Sequence, residues 1–196
     1  MRRIKGLCLV VLCCLMVPVA LAGSYADKDT FPTEPVMNGD QRWRIGYFEG
    51  GEYTDYQKIL IETVKGLMQE GWIEKVEIPA QEGEQTALFW QWLRGVDSKY
   101  LEFVEDGHYT AQWHETQRDR ITEAIVSRLN HENDIDLMIA MGTWAGKALS
   151  NDHHNTSTMV LSASDPLAAG IIKSVNDSGF DHIHATLDPN RYERQV

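Results

Sequence analysis

A strand-turn-helix unit occurs twice in succession in this chain, and the repetition narrows the folds open to it. Asp136–Thr143 is an apolar run ending in a turn, followed at once by the helix-like Trp144–Leu149. Thr158–Pro166 repeats the grammar and leads into Leu167–Lys173. Each unit reads as a buried strand whose far end carries small polar residues, then a helix. In open α/β sheets, ligands bind in the crevice at the carboxyl ends of the strands. The repeat therefore sets Gly142-Thr143-Trp144 and Ser164-Asp165-Pro166 side by side at one rim.

The rest of the chain fits the same alternation. A first strand is expected over Arg42–Phe48, ending in the loop Glu49-Gly50-Gly51-Glu52. Thr54-x-x-Gln57 has capping-box spacing. Behind it Tyr56, Ile59, Leu60, Val64, Leu67 and Met68 recur at helical intervals, and Gly71 closes the helix. Lys75–Ile78 reads as a short strand-like piece, and the aromatic stretch around Phe89, Trp90, Trp92 and Leu93 as helical. Lys99–Val104 is the next strand, ended by Asp106-Gly107. His108 and His114 then fall in a loop before a helix over Glu115–Leu129. That helix places Ile121, Ala124, Ile125 and Leu129 on one face and charge on the other. His182–Leu187 is the last strand, and Asp188-Pro189 a helix start with proline at its first position. The alternation predicts an α/β fold, an open parallel sheet with helices on both faces.

The first 22 residues read as a signal peptide. Arg2, Arg3 and Lys5 give a positive start, Leu7–Val19 an apolar stretch too short to span a bilayer comfortably, and Ala20-Leu21-Ala22 a small-x-small cleavage site. Leu12 stands where a lipid-attachment signal at Cys13 wants a small residue, so cleavage after Ala22 is expected and the mature protein is placed in the periplasm. Residues 23–41, with Pro32 and Pro35, read as a linker, 42–188 as the globular lobe, and 189–196 as the start of a crossover helix. The sequence stops at Val196 inside that expected helix, which suggests a fragment or a shortened reading frame. Cys8, Cys13 and Cys14 all lie in the cleaved segment, so disulfides, thiol catalysis and cysteine-metal sites are excluded from the mature chain. Losing three positive charges takes the formal net charge from -11 to -14. Such a balance argues against nucleic acid and anionic lipid as partners. It suits a soluble exported protein, with no membrane insertion once the signal is gone.

Helix N-termini at the rim would offer free N–H groups and a favourable dipole to an anion. Thr143 can cap a helix starting at Trp144, and Asp165 one starting at Pro166. Each is either an N-cap alone, worth ~1 kcal/mol, or also a ligand contact, with the Asp165 carboxylate suited to an ammonium group. Gly50 and Gly51 let backbone approach a ligand closely, and Tyr53 and Trp144 would flank it with flat apolar faces or lie as ordinary surface aromatics. Together these groups fit a small zwitterion such as an amino acid.

Other chemistries match poorly. Gly142–Ala148 has three residues between its glycines where a phosphate loop needs four, and Ala148 stands where Ser or Thr must bind magnesium. The histidine pairs His153-His154 and His182/His184 form no recognised metal-ligand set. Ser164 lies beside Asp165 without a G-x-S-x-G elbow. No cofactor, metal or catalytic residue is expected. Asn155-Thr-Ser157 and Asn176-Asp-Ser178 match the glycosylation pattern, which matters only in a eukaryotic secretory route.

The segments RIGYFEGG (44–51), DIDLMIAMGTWAGKAL (134–149) and above all SDPLAAGIIKS (164–174) resemble the solute-binding proteins of ABC transporters with a type I periplasmic-binding-protein fold. The resemblance covers roughly residues 44–188, with 79–98 reading as an insertion. It implies an exported binding component of an uptake system, without catalytic activity, whose partners are a small polar ligand and a membrane permease. It places ligand contacts on Glu49, Gly50, Tyr53, Gly142, Thr143, Trp144, Ser164 and Asp165. It also implies two lobes closing on the ligand, of which this chain covers the first. A secreted sensory module is the alternative use of the same fold. A small hydrolase using Ser164, Asp165 and a histidine is the alternative chemistry.

Overall fold

Alternate residues of a strand face opposite sides of a sheet. Where both sides are covered, the strand reads as a continuous apolar run. Leu137–Met141 is such a run, and in the computed structural model, which describes residues 33–187, it is the central strand. The elements are β1 (Trp43–Glu49), α1 (Thr54–Gln69), α2 (Ala87–Leu93), β2 (Leu101–Thr110), α3 (Glu115–His131), β3 (Leu137–Met141), α4 (Gly142–Leu149), β4 (Ser157–Leu161) and β5 (Ile183–Ala185). All pairings are parallel, in the order β2-β1-β3-β4-β5. This is the predicted α/β sheet with helices on both faces. The expected helix at 188–196, the signal segment and the first part of the linker lie outside the described residues.

The sheet separates two cores. On one face Ile45, Tyr47, Leu101, Phe103, Ile139 and Met141 pack against Tyr56, Leu60, Val64 and Met68 of α1 and Phe89, Trp90 and Leu93 of α2. On the other, Phe48, Met138, Ala140 and Val160 meet Ile125 and Leu129 of α3 and Ala145 and Leu149 of α4. Each fully buried Val, Leu, Ile, Phe or Met among them contributes about 1.5–3 kcal/mol, so the strand parity is strongly fixed. At the amino-terminal edge Arg44 forks onto Asp136 at 2.8 and 2.9 Å, and its own N–H reaches the same carboxylate at 2.8 Å, locking β1 to the start of β3.

Several local expectations are corrected. The Thr54-x-x-Gln57 box does not form. Tyr53 occupies the cap position without a side-chain bond, Thr54 turns to Glu84, and Gln57 donates to the Gln85 carbonyl at 2.6 Å. Long-range partners have taken both side chains. Lys75–Ile78 is not a strand, because its backbone finds no sheet edge and Lys75, Val76 and Glu77 stay exposed. Ala124 is exposed on α3, where only Ile125 and Leu129 are fully covered. β2 does not stop at Asp106-Gly107. It bulges there, so that Ile45-to-Tyr47 on β1 spans Phe103-to-His108 on β2, and pairing resumes to Thr110. His108 is therefore a strand residue, not a loop residue.

The second repeat is also cut short. Leu167–Lys173 is a single turn, not a helix. Gly170, at φ 71°, donates to the Leu167 carbonyl at 3.0 Å, and Ile171 donates to that of Pro166 at 2.9 Å. Those two bonds are a Schellman stop placed one turn after the start. Ile171 and Ile172 then both drop into the core beneath β4 and α4. The left-handed backbone at Gly170, with its two capping bonds, is what ends the helix.

Candidate functional site

Parallel register brings four strand ends into one row. Thr110 pairs with Glu49, Glu49 with Met141, and Met141 with Leu161. At about 4.8 Å between strands, the carboxyl-terminal rim is roughly 14 Å wide across these four residues. The turns at 142–144 and 164–166 meet on it, since the Ser164 N–H donates to Thr143 Oγ1 at 3.3 Å. Thr143 is not the helix cap, as α4 begins one residue earlier with Met141 in the cap position. Its hydroxyl instead ties the two repeats together. Asp165 does cap, but only the single turn that follows, accepting the Ala168 N–H at 2.9 Å.

Gly142 opens α4 at φ 84°, and its Cα lies against the phenol of Tyr56. Gly50 and Gly51 make a second close approach, this time under the indole of Trp113, with no room for a Cβ at either position. Trp113 was not foreseen from the sequence. It sits at φ 62° after Gln112 at φ 48°, two successive left-handed non-glycine residues. Its N–H bonds to the Gly50 carbonyl at 2.7 Å and its indole N–H to that of Glu52 at 3.0 Å. The ring meets Trp144 edge to face at 5.5 Å and Tyr56 at 6.1 Å. Trp144 in turn carries the Arg118 guanidinium 5.1 Å from its ring centre. The only hint in the sequence is a lone tryptophan in an otherwise polar loop.

Trp113 divides the rim. On one side Thr143 and Trp144 line a 590 Å3 cavity with Arg118, Asp119, Glu123 and Lys147. On the other, Glu49 and Glu52 line a 290 Å3 cavity with Thr86, His108, Thr110 and Trp113. The sequence-predicted contacts are thus brought to one edge but not into one cavity. Tyr53 is 47% exposed and stacks edge-on against Tyr56, lining neither. Gly50, Gly142 and Ser164 shape the rim through their backbone and Asp165 through its capping carboxylate, all outside both linings.

Glu49 is the chemical centre of the smaller cavity. It is 1% exposed, and its Oε2 accepts hydrogen bonds from Tyr47 Oη and Thr86 Oγ1, both at 2.8 Å. Thr86 has one proton, given to Glu49, so His108 Nε2, 2.9 Å from Thr86 Oγ1, must carry the N–H of that contact. His108 also stacks on Tyr47 at 5.1 Å. Burial drives its pKa down to about 4, leaving a neutral imidazole at pH 7. Burial also raises the Glu49 pKa, against the lowering effect of the Thr86 and Tyr47 hydrogen bonds. Thr86, just before α2, and His108, on β2, are far from Glu49 in sequence. No local spacing pointed to them.

The remaining histidines do other work. His154 is buried and bonds to the Leu149 carbonyl at 3.0 Å, with His182 edge-on to it at 4.8 Å. Among the described residues, no group of three or more His, Cys, Asp and Glu side chains converges on a metal-sized site.

No protein-family model matches the chain, and no curated protein is detectably similar to it in sequence. Solved structures are similar in fold. The ABC domain in complex with L-Trp from Streptococcus pneumonia superposes with a TM-score of 0.52 at 13% identity, over 74% of this chain and 38% of that one. A conserved domain protein from Vibrio cholerae gives 0.50 at 16% identity, over 79% of this chain and 42% of that one. The chain spans about two fifths of the length of these structures. Its architecture is that of one lobe of a periplasmic-binding-protein-like fold.

Proposed function

We propose that this chain is the first lobe of an exported solute-binding component of an ABC-type uptake system, binding a small polar solute of the amino-acid class at the rim described above. The observation that carries the reading is the in-register row Thr110, Glu49, Met141 and Leu161, with Thr143 joined to Ser164 beside it. It is the strand-end edge at which open α/β sheets hold ligands. The rim offers hydroxyls, the amino-terminal end of α4, carboxylates and flat aromatic walls, a set matched to a small molecule carrying both charges. A fold shared with a domain that holds L-Trp supports that ligand class.

Export rests on the amino-terminal 22 residues, whose charge, apolar length and cleavage site have the features of a signal peptide. The expected partner is a membrane permease, approached through an exposed surface. Calorimetric titration of the full chain with L-tryptophan and a panel of amino acids tests the reading, with binding of at least one of them expected. A single lobe leaves much of the ligand in water, so that affinity should be modest. Uniformly flat titrations would remove the proposal.

A further inference from the structure

Buried charges in proteins are paired. Glu49 breaks that rule. Among the described residues no lysine or arginine forms an ion pair with it. Tyr47 and Thr86, which bond it, and His108 behind Thr86 form a hydrogen-bonded chain in which every member is neutral at pH 7. That chain stabilises the carboxylate without cancelling its charge. The cavity beside it adds a second carboxylate, Glu52, and the hydroxyl of Thr110, with Trp113 and Ala87 as apolar walls. Among the described residues no cationic side chain lines it, in contrast to the Arg118 and Lys147 side of the rim.

We infer that the cavity between Glu49 and Trp113 is a subsite for a compact primary amine, with the Glu49 carboxylate as its counter-ion and the Trp113 ring as its apolar wall. The inference rests on the proposed solute-binding role of the rim and names the part of the solute recognised there. At 290 Å3 the space is at the small end for ligand sites, which selects a single ring or short chain bearing the ammonium group. A charge-assisted hydrogen bond to a desolvated carboxylate is about twice as strong as a neutral one. The missing countercharge is therefore a source of selectivity: a carboxylate-bearing analogue of the same shape meets two acids. Glu52 is exposed and screened by water, so it contributes little beside Glu49.

The test is calorimetric titration of the full chain at pH 7.5 with phenethylamine and, separately, with 3-phenylpropionate. Binding of the amine and none of the carboxylate is expected. Glu49→Gln, which keeps the acceptor for Tyr47 and Thr86, should weaken the amine at least tenfold, whereas Glu52→Gln should change it less than threefold. Ala87→Phe fills the cavity from the exposed face of α2 with Glu49 intact and should abolish binding, which covers the case of a Glu49 variant that does not fold. Amine binding that survives Glu49→Gln or Ala87→Phe overturns the inference. So does absence of amine binding by a protein that still takes up an amino acid, an outcome that leaves the broader role standing. Flat titrations with amines and amino acids alike remove both.

Discussion

A Cβ placed on Gly142 would stand 1.9 Å from the hydroxyl of Tyr56, with the next ring carbon at 2.4 Å. The first residue of α4 and the first turn of α1 thus touch backbone to ring across the strand-end rim, and the backbone there is left-handed at φ 84°. Gly142→Ala meets both obstacles. Overpacking typically costs 1–3 kcal/mol, and alanine in a left-handed conformation adds about 1 kcal/mol. A loss of about 3 kcal/mol is expected in urea unfolding. Tyr56→Phe in the same chain should recover only part of it, since the ring carbons remain in the way. Full recovery would locate the cost in the hydroxyl alone.

The acid response has a sign set by two imidazoles. Burial lowers the His108 pKa to about 4 and lowers that of His154. A histidine held neutral in the folded state binds fewer protons there than in the unfolded chain. Its stabilising effect is complete above the unfolded value near 6.5 and is lost as the pH falls through the folded value. Their share of the unfolding free energy should therefore decline between pH 6.5 and pH 4, with Glu49 acting in the opposite sense and His108 accounting for about 3 kcal/mol of the fall. His108→Gln and His154→Gln should each flatten the slope measured by urea titration at a series of pH values. An unchanged slope in both would contradict the burial argument.

Much of the sheet was legible because strands buried on both faces must be continuously apolar, and Leu137–Met141 and its neighbours are. The two repeats were legible at their strand ends for the same reason. What failed was local chemistry overruled from a distance. Thr54 and Gln57 have capping spacing, yet residues 84 and 85 take their side chains. The second helix vanished because Gly170 turns left-handed one turn after the start and caps it, sending Ile171 and Ile172 into the core. Glu49 was legible as a rim residue from its place after an apolar strand. Thr86, His108 and Trp113 were not, because only the β2 bulge and the crossing of α2 bring them to it.

Glu49 should also show the stability cost of an unpaired buried charge. Its pKa is raised chiefly by desolvation. A carboxyl with a raised folded value adds stability that is complete below the unfolded value near 4.5 and disappears as the pH rises through the folded one. Glu49→Gln carries no such penalty. The variant should be more stable than the parent at pH 8 and lose that advantage at pH 4, as read from melting temperature at the two pH values. Stability bought by removing a functional charge is a common trade-off at binding sites. A variant less stable than the parent at pH 8 would mean that the Tyr47 and Thr86 bonds outweigh desolvation.

Arg128 supports the bulge that carries His108 into place. Its guanidinium side chain is 11% exposed and reaches Asp134 at 2.6 Å, Asp106 at 2.7 Å and the Tyr109 hydroxyl at 2.8 Å. These bonds tie the last turns of α3 to the bulged part of β2, and they raise the Arg128 pKa further above its ordinary value, Asp134 most of all. The guanidinium is mostly buried but its carboxylate partners are partly or largely exposed, so losing it costs the charge-assisted hydrogen bonds rather than stranding a buried charge, about 2 kcal/mol. Arg128→Met should show that loss in urea unfolding. Arg128→Lys should recover little, because an ammonium cannot fork between two carboxylates and a phenol. Because the bulge sets where β2 resumes pairing at His108, both variants should also speed amide exchange at His108 and Thr110, measured by hydrogen exchange. Protection unchanged at those two amides, with stability lost elsewhere, would separate Arg128 from the placement of the site.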